Sequence, residues 1–218
     1  MNYIRKQITE IKTLIHPKEY TKNIVFNILS SFKPVALAVL IIVFLQLTGL
    51  MSSVSYYSNW AVLQTGLKDA SAGSDPVVEK FDYTFTIKDL NDNKINVEQF
   101  KGKVIFLNLW ATWCGPCRAE MEGIQNLYSK IDKEKVVFII LSLDKEKDKS
   151  KIVDYIKKKG FTFSAYQPSG DLPDQLQVPS IPTTFIISKN GMIVRKEVGG
   201  MRYDTSKFQK FIEELSAN

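Results

Sequence analysis

The sequence predicts an α/β domain, a mixed central sheet flanked by helices with an extra N-terminal β-hairpin, preceded by one apolar N-terminal helix. Three observations carry that expectation. Val104–Trp110 and Val136–Leu143 are apolar runs of buried-strand type, and each leads into a helical pattern. Thr183–Ser188 and Met192–Val198 flank Asn190-Gly191, a hairpin signal. Val35–Met51 reads VALAVLIIVFLQLTGLM and carries no charge.

The composition sets the bounds. With 218 residues, 44% hydrophobic and 24% charged, the chain is neither wholly disordered nor a polytopic membrane protein. Two cysteines exclude a disulfide-stapled scaffold, and with a single histidine they leave no usual zinc set. That histidine, His16, lies far up the chain from any plausible active domain, which excludes a Ser-His or Cys-His pair. The net charge is +6, but +4 of it falls in residues 1–34, and residues 77–218 are nearly balanced. A basic N-terminus with a balanced domain points away from nucleic acid.

Residues 35–54 are read as a transmembrane anchor. As a helix, the 17 residues to Met51 rise roughly 26 Å, and extension to Val54 reaches the thickness of a hydrocarbon core. A cleaved signal peptide is the competing reading, with Ser53-Val54-Ser55 as its small-residue site, but a 34-residue lead and so long an apolar run argue against it. No cysteine follows the run to take a lipid anchor. Six basic residues precede Val35 and none lies between it and Lys68, so residues 1–34 are expected in the cytoplasm and residues 52–218 outside. Ile4, Ile8, Ile11 and Ile15 recur at helical spacing, a pattern for a short amphipathic helix, lying on the inner leaflet or merely positional. Residues 55–76, rich in Ser and without a period, read as a linker, and residues 77–218 as the soluble domain.

Within that domain Phe81, Tyr83, Phe85 and Ile87 alternate with polar residues as a half-buried strand, Asn91-Asp92-Asn93 turns, and Ile95 and Val97 begin a partner strand. After Val104–Trp110 comes a helix with Met121, Ile124, Tyr128 and Ile131 on one face. Val136–Leu143 is followed by a Lys-rich helix over Lys147–Lys159 that stops at Gly160. A loop leads to the hairpin, and a last helix presents Phe208, Phe211, Ile212 and Leu215.

Both cysteines lie in Trp113-Cys114-Gly115-Pro116-Cys117, between a buried strand and a helix. That spacing lets the sulfurs meet across the first helical turn. Cys114 is expected at the N-cap, where free backbone N–H groups and the helix dipole favour a thiolate. Pro116 suits the first turn, and Cys117 is expected to be more buried and to resolve a mixed disulfide. The plainer readings are a structural disulfide or half of a zinc site. Zinc lacks further ligands here, and a loop of two intervening residues would constrain the unfolded chain very little.

Residues 104–122, VIFLNLWATWCGPCRAEME, resemble the thioredoxin superfamily, and within it the membrane-anchored TlpA/ResA-like thiol–disulfide oxidoreductases. Thioredoxins carry a buried Asp where this chain has Asn108, whereas the TlpA/ResA branch carries a Glu three residues after the second cysteine, matched by Glu120. Ile181-Pro182-Thr183 fits the family's cis-proline before the penultimate strand. The resemblance covers about residues 77–215 and implies a thioredoxin-like fold. It also implies that Pro182 packs beside the cysteines, that the Ile181 backbone pairs with substrate, and that Glu120 acts in proton transfer or tunes the cysteines; a solvated carboxylate is the alternative for Glu120. Trp113, Gly115 and Pro116 would line the substrate surface, with a core aromatic as the alternative for Trp113. The family's helix-kinking proline is replaced by Glu122, from which a straighter helix is expected.

The function implied is reduction of disulfides in exported proteins, those of cytochrome c maturation included, by a Cys114/Cys117 dithiol that needs no other cofactor and no metal. Gly-Pro between the cysteines resembles reducing thioredoxins, near about −270 mV, rather than oxidases near about −120 mV. Electrons would come from a membrane thiol protein. A thiol peroxidase of the same fold is the rival enzyme, disfavoured because Ala111 stands where a Thr or Ser is wanted. A membrane-tethered binding or chaperone module is the rival from another class.

Overall fold

The computed structural model describes residues 33–70 and 79–217, in two compact units that divide at Met51/Ser52. The isoleucine pattern of residues 4–15 lies outside the described residues. In the first unit, helix α1 is described over Lys33–Leu47, with Leu37, Leu40, Phe44 and Leu47 exposed. Thr48 Oγ1 donates to the Phe44 carbonyl at 2.8 Å, and Gly49 turns to a φ of 71°, the left-handed conformation in which helices commonly end on glycine. A new helix, α2, runs over Leu50–Gln64. The run 35–54 is therefore not the single helix expected. Among the described residues no one helix is long and apolar enough to cross a membrane, and α1 and α2 meet the length and composition only as a broken pair.

The second unit begins inside α2, so much of the expected linker 55–76 is helical. Its less exposed residues, Ser52, Ser53, Ser55, Tyr56, Asn59 and Leu63, fall along one side of the helix at roughly helical spacing. Beyond it the Ala70 amide donates to the Arg202 carbonyl and the Arg202 amide to the Lys68 carbonyl, and Arg202 pairs with Asp69. Ala70 is buried in the core.

The sheet contains eight strands among the described residues: β1 (Glu79–Lys80), β2 (Thr86–Asp89), β3 (Lys94–Asn96), β4 (Val104–Trp110), β5 (Val136–Ser142), β6 (Ala165–Pro168), β7 (Thr183–Ile187) and β8 (Met192–Val198). Their order is β1-β8-β7-β4-β5-β6-β2-β3. β4, β5 and β6 are parallel, joined by α3 (Gly115–Lys130) and α4 (Lys149–Lys159); β7 and β8 add antiparallel on the far side of β4. Successive right-handed crossovers in one direction leave their helices on one face. Accordingly Met121, Ile124 and Leu127 of α3 and Ile152 of α4 share a core with Phe208 and Ile212 of the last helix, α5 (Ser206–Ala217).

Alternation along β4 assigns its side chains. Phe106 and Trp110 join that helix-side core; Ile105, Leu107 and Leu109 join a second core closed by Phe81, Tyr83, Phe85 and Leu176. Two expectations need correction. Phe81, Tyr83 and Phe85 are buried as an alternating segment should be, but the ladder starts only at Thr86, pairing Ile87 with Ile95. Between β1, which pairs with β8, and Thr86 the chain is held by single bonds, such as the Phe81 amide to the Gly191 carbonyl at 2.8 Å. The stretch expected as a loop after α4 contains β6, four residues that bridge β5 to the N-terminal hairpin. The helix with Glu122 in place of proline runs unbroken over 16 residues.

Candidate redox site

β4 ends at Trp110 and α3 starts at Gly115, so a four-residue loop must turn the chain from sheet to helix. Asp144, just beyond β5, pins that loop. Its carboxylate accepts from the Thr112 amide at 2.8 Å, from Thr112 Oγ1 at 2.6 Å and from Ser142 Oγ at 2.7 Å. Asp144 was not among the residues singled out from sequence. Nothing local distinguishes it from an ordinary turn aspartate, because the contact depends on β4 and β5 lying side by side.

The loop delivers Cys114 to the N-cap of α3 with extended backbone, and its sulfur accepts from the Cys117 amide at 3.2 Å. That amide is one of the donors a helix start leaves without an intrahelical acceptor. Pro116, in the first turn, has no N–H to leave unpaired. Cys114 and Cys117 are joined by a disulfide; Cys114 is 6% exposed and Cys117 fully buried. Trp113 is 63% exposed beside them. The Ile181–Pro182 peptide bond is cis, and the Ile181 carbonyl oxygen lies 3.8 Å from Cys114 Sγ. Gly115 is buried, and Gly200 packs so near the Pro116 carbonyl that an added Cβ would stand 3.4 Å from its oxygen.

Glu120 lies one turn beyond Cys117 and is 1% exposed. Its two oxygens accept from Asn108 Nδ2 at 2.8 Å and from the Met201 amide at 3.1 Å, and Asn108 Nδ2 also donates to Thr184 Oγ1 at 2.9 Å. The solvated-carboxylate alternative does not describe this residue. Burial pushes its carboxyl up to about 8, against the opposing pull of the Met201 and Asn108 donors. Asn108 Oδ1 has no hydrogen-bond partner among the described residues. A half-turn of the Asn108 amide would offer that oxygen to a protonated Glu120, so the pair can serve either charge state. A polar cavity of about 400 Å³ between α2 and α3 is lined by Trp60, Glu120, Asn126, Met201 and Arg202. Glu122, unexplained in the sequence, pairs with Lys159 at 2.9 Å.

A more apolar cavity of about 600 Å³ lies by the β7–β8 turn, lined by Phe81, Tyr83, Lys101 and Gly191. Because β7 runs antiparallel to β4, that turn is at the opposite end of the sheet from the cysteines. Among the described residues no cluster of three or more His, Cys, Asp or Glu side chains is placed to hold a metal ion.

The raised Glu120 value sets a sign for stability. Between about 4.5 and about 8 the folded chain keeps a proton that the unfolded chain has released, so this group's contribution is full below the lower value and is lost as pH rises through the upper one. In urea unfolding of the wild type from about pH 5 to about pH 9, Glu120 should remove on the order of a few kcal/mol. Glu120→Gln should flatten that decline; parallel stability curves for the two proteins would contradict the assignment.

The AhpC/TSA family profile matches residues 79–196. The thiol-disulfide oxidoreductase ResA of Bacillus thuringiensis subsp. konkukian is 37% identical over 116 residues, 53% of this chain and 66% of that protein. The chain thus spans just under two thirds of that relative's length. ResA of Bacillus subtilis is 28% identical over 146 residues, 66% of this chain and 77% of that protein. A thiol:disulfide interchange protein of the thioredoxin family from Chlorobium tepidum superposes with a TM-score of 0.52 at 19% identity, over 66% of this chain and 99% of that one, a likeness of fold alone. The matched stretch takes in more than half of the chain, both cysteines and the Ile181–Pro182 loop, and the chain belongs to the thioredoxin-like AhpC/TSA family.

Proposed function

We propose that this protein is a thiol–disulfide oxidoreductase that reduces disulfides in other proteins. The observation that carries the reading is a disulfide whose outer sulfur caps a helix and accepts the amide of the inner cysteine. Once the pair is reduced, that donor and the helix dipole stabilise the Cys114 thiolate. The thiolate attacks a substrate disulfide, forming a Cys114–substrate bond and releasing the other substrate sulfur, which takes a proton. Cys117 then loses its proton and attacks Cys114 Sγ, re-forming the intramolecular disulfide and releasing the second substrate thiol. Two electrons pass from the dithiol to the substrate, and a donor thiol protein must restore them.

Each neighbouring residue has a role in this reading. Glu120, one turn from Cys117 and close to thiols in proton affinity, takes the Cys117 proton. The Ile181 backbone beside Cys114 pairs with the substrate chain, and Pro182 holds that loop. Trp113, Gly115 and Pro116 form the surface the substrate approaches. Ala111, buried and without a hydroxyl, gives a peroxide no donor, which favours exchange over peroxidase chemistry.

The same reading locates the domain at a membrane. The apolar run from Val35, with six basic residues before it, anchors the chain with residues 52–218 outside, where exported proteins such as apocytochromes c offer disulfides. Most of that apolar run lies in α1, which ends before the turn at Gly49.

Two experiments test these statements. A Cys117→Ser variant should accumulate mixed disulfides through Cys114, visible as thiol-reversible adducts, while Cys114→Ser should form none and lose at least about a hundredfold in disulfide reduction. Equal reduction by wild type and Cys114→Ser would overturn the function. Protease added to intact spheroplasts should digest the domain and spare a short N-terminal piece; full protection would reverse the orientation.

A further inference from the structure

Helix α2 lies on the start of α3 at backbone distance. A Cβ added to Gly115 would stand 2.7 Å from Ser55 Cβ and 2.8 Å from both the Ser52 carbonyl oxygen and the Tyr56 nitrogen. Real side chains do not approach so closely, so the glycine between the cysteines is what admits the helix. Polar contacts hold it there. Ser52 Oγ donates to the Trp113 carbonyl at 3.2 Å. Arg118 Nη2 donates to the Ser52 carbonyl at 3.0 Å and to Ser52 Oγ at 2.7 Å. The Tyr56 ring takes the Arg118 guanidinium at 5.5 Å and the Lys159 ammonium at 5.7 Å. Every one of these partners adjoins or belongs to the segment that carries the dithiol, or faces it from α4.

We propose that the surface formed by Trp113, Gly115, Arg118 and Lys159 is the docking site for the redox partner's polypeptide, and that Ser52–Tyr56 occupies it within the same chain. The inference rests on the function proposed above. It sets α2 against both chain neighbours of Cys114, Trp113 and Gly115, and Cys114 itself is 6% exposed. The occupant also describes its replacement. A partner segment that displaces it carries a cysteine, offers a carbonyl and a hydroxyl to the Arg118 guanidinium, and sets an aromatic ring between Arg118 and Lys159. The binding face of α2 is small and polar, apart from Tyr56 and Leu63, which suits a contact made to be exchanged rather than a permanent core.

The test uses the full chain in detergent micelles and a Ser52→Ala/Tyr56→Ala variant. Both residues lie outside the two cores, and an unchanged urea midpoint serves as the folding control. Two rates are read: reduction of the Cys114–Cys117 disulfide by dithiothreitol, and reduction of insulin disulfides by the reduced protein. Removing the Ser52 Oγ hydrogen bonds and the Tyr56 cation–π contacts should speed both by about tenfold. Tyr56→Phe, which keeps the ring, should behave as wild type. An unchanged dithiothreitol rate would overturn the cover, and a faster dithiothreitol rate with unchanged insulin reduction would overturn the docking site. A faster dithiothreitol rate with no insulin reduction by either protein would sustain the cover and overturn the redox function itself.

Discussion

The hydrogen bond from the Cys117 amide to Cys114 Sγ is the contact on which the rest of this molecule's chemistry depends. A helix must begin with amides that have no helical acceptor, and here one of them meets sulfur instead of water. For that to happen a strand has to end and a helix begin at fixed places. β4 is buried along its whole length, so the sheet holds one side of the junction. Asp144 binds the loop through Thr112, so β5 holds the other. The cis Ile181–Pro182 loop at the start of β7 brings a carbonyl to the same sulfur. Three neighbouring strands thus converge on one atom, which is how an open α/β sheet commonly builds a site at its strand ends.

Burial sets the second theme, through Glu120. On the surface it would be an ordinary helix carboxylate. Inside, it keeps two N–H donors that favour charge and an environment that disfavours it, and the outcome is a group that titrates near thiols. The alternation of β4 is what aims Asn108 toward α3 and so gives Glu120 its partner. Fold and proton affinity are therefore one argument: a shift of β4 by one residue would turn Asn108 to the other core and leave the carboxylate with one donor.

Much of this was legible in the sequence because it rested on local rules. The buried strands, the CxxC at a helix start, the burial of Cys117 beyond Cys114 and the hairpin at Asn190-Gly191 all follow from short patterns, whereas the cis proline before β7 was expected only from the family resemblance. What was not legible depended on contacts made across the chain. β6 is four residues ending in proline, too short to show a period, and exists because β5 and β2 flank it. Phe81–Phe85 alternates like a strand, yet burial under the sheet rather than strand pairing produces the alternation. Residues 55–64 of α2 were read as linker and its first turn as anchor, because its packing face is Ser, Ser, Tyr and Asn, a period in size rather than hydrophobicity, and its receptor is a glycine sixty residues away. Gly49, inside an apolar run, carried the signal for the break that divides 35–54, and the run's hydrophobicity outweighed it.

The central claim is that the start of α3 makes Cys114 the nucleophile. The rate of its alkylation in the reduced protein, followed against pH, tests this directly, because the midpoint reports thiolate formation whatever the absolute rate. The account predicts a midpoint below that of a free cysteine, about 8.5, and a Cys117 that stays unreactive. A midpoint at or above the free value, or equal alkylation of both cysteines, would contradict it.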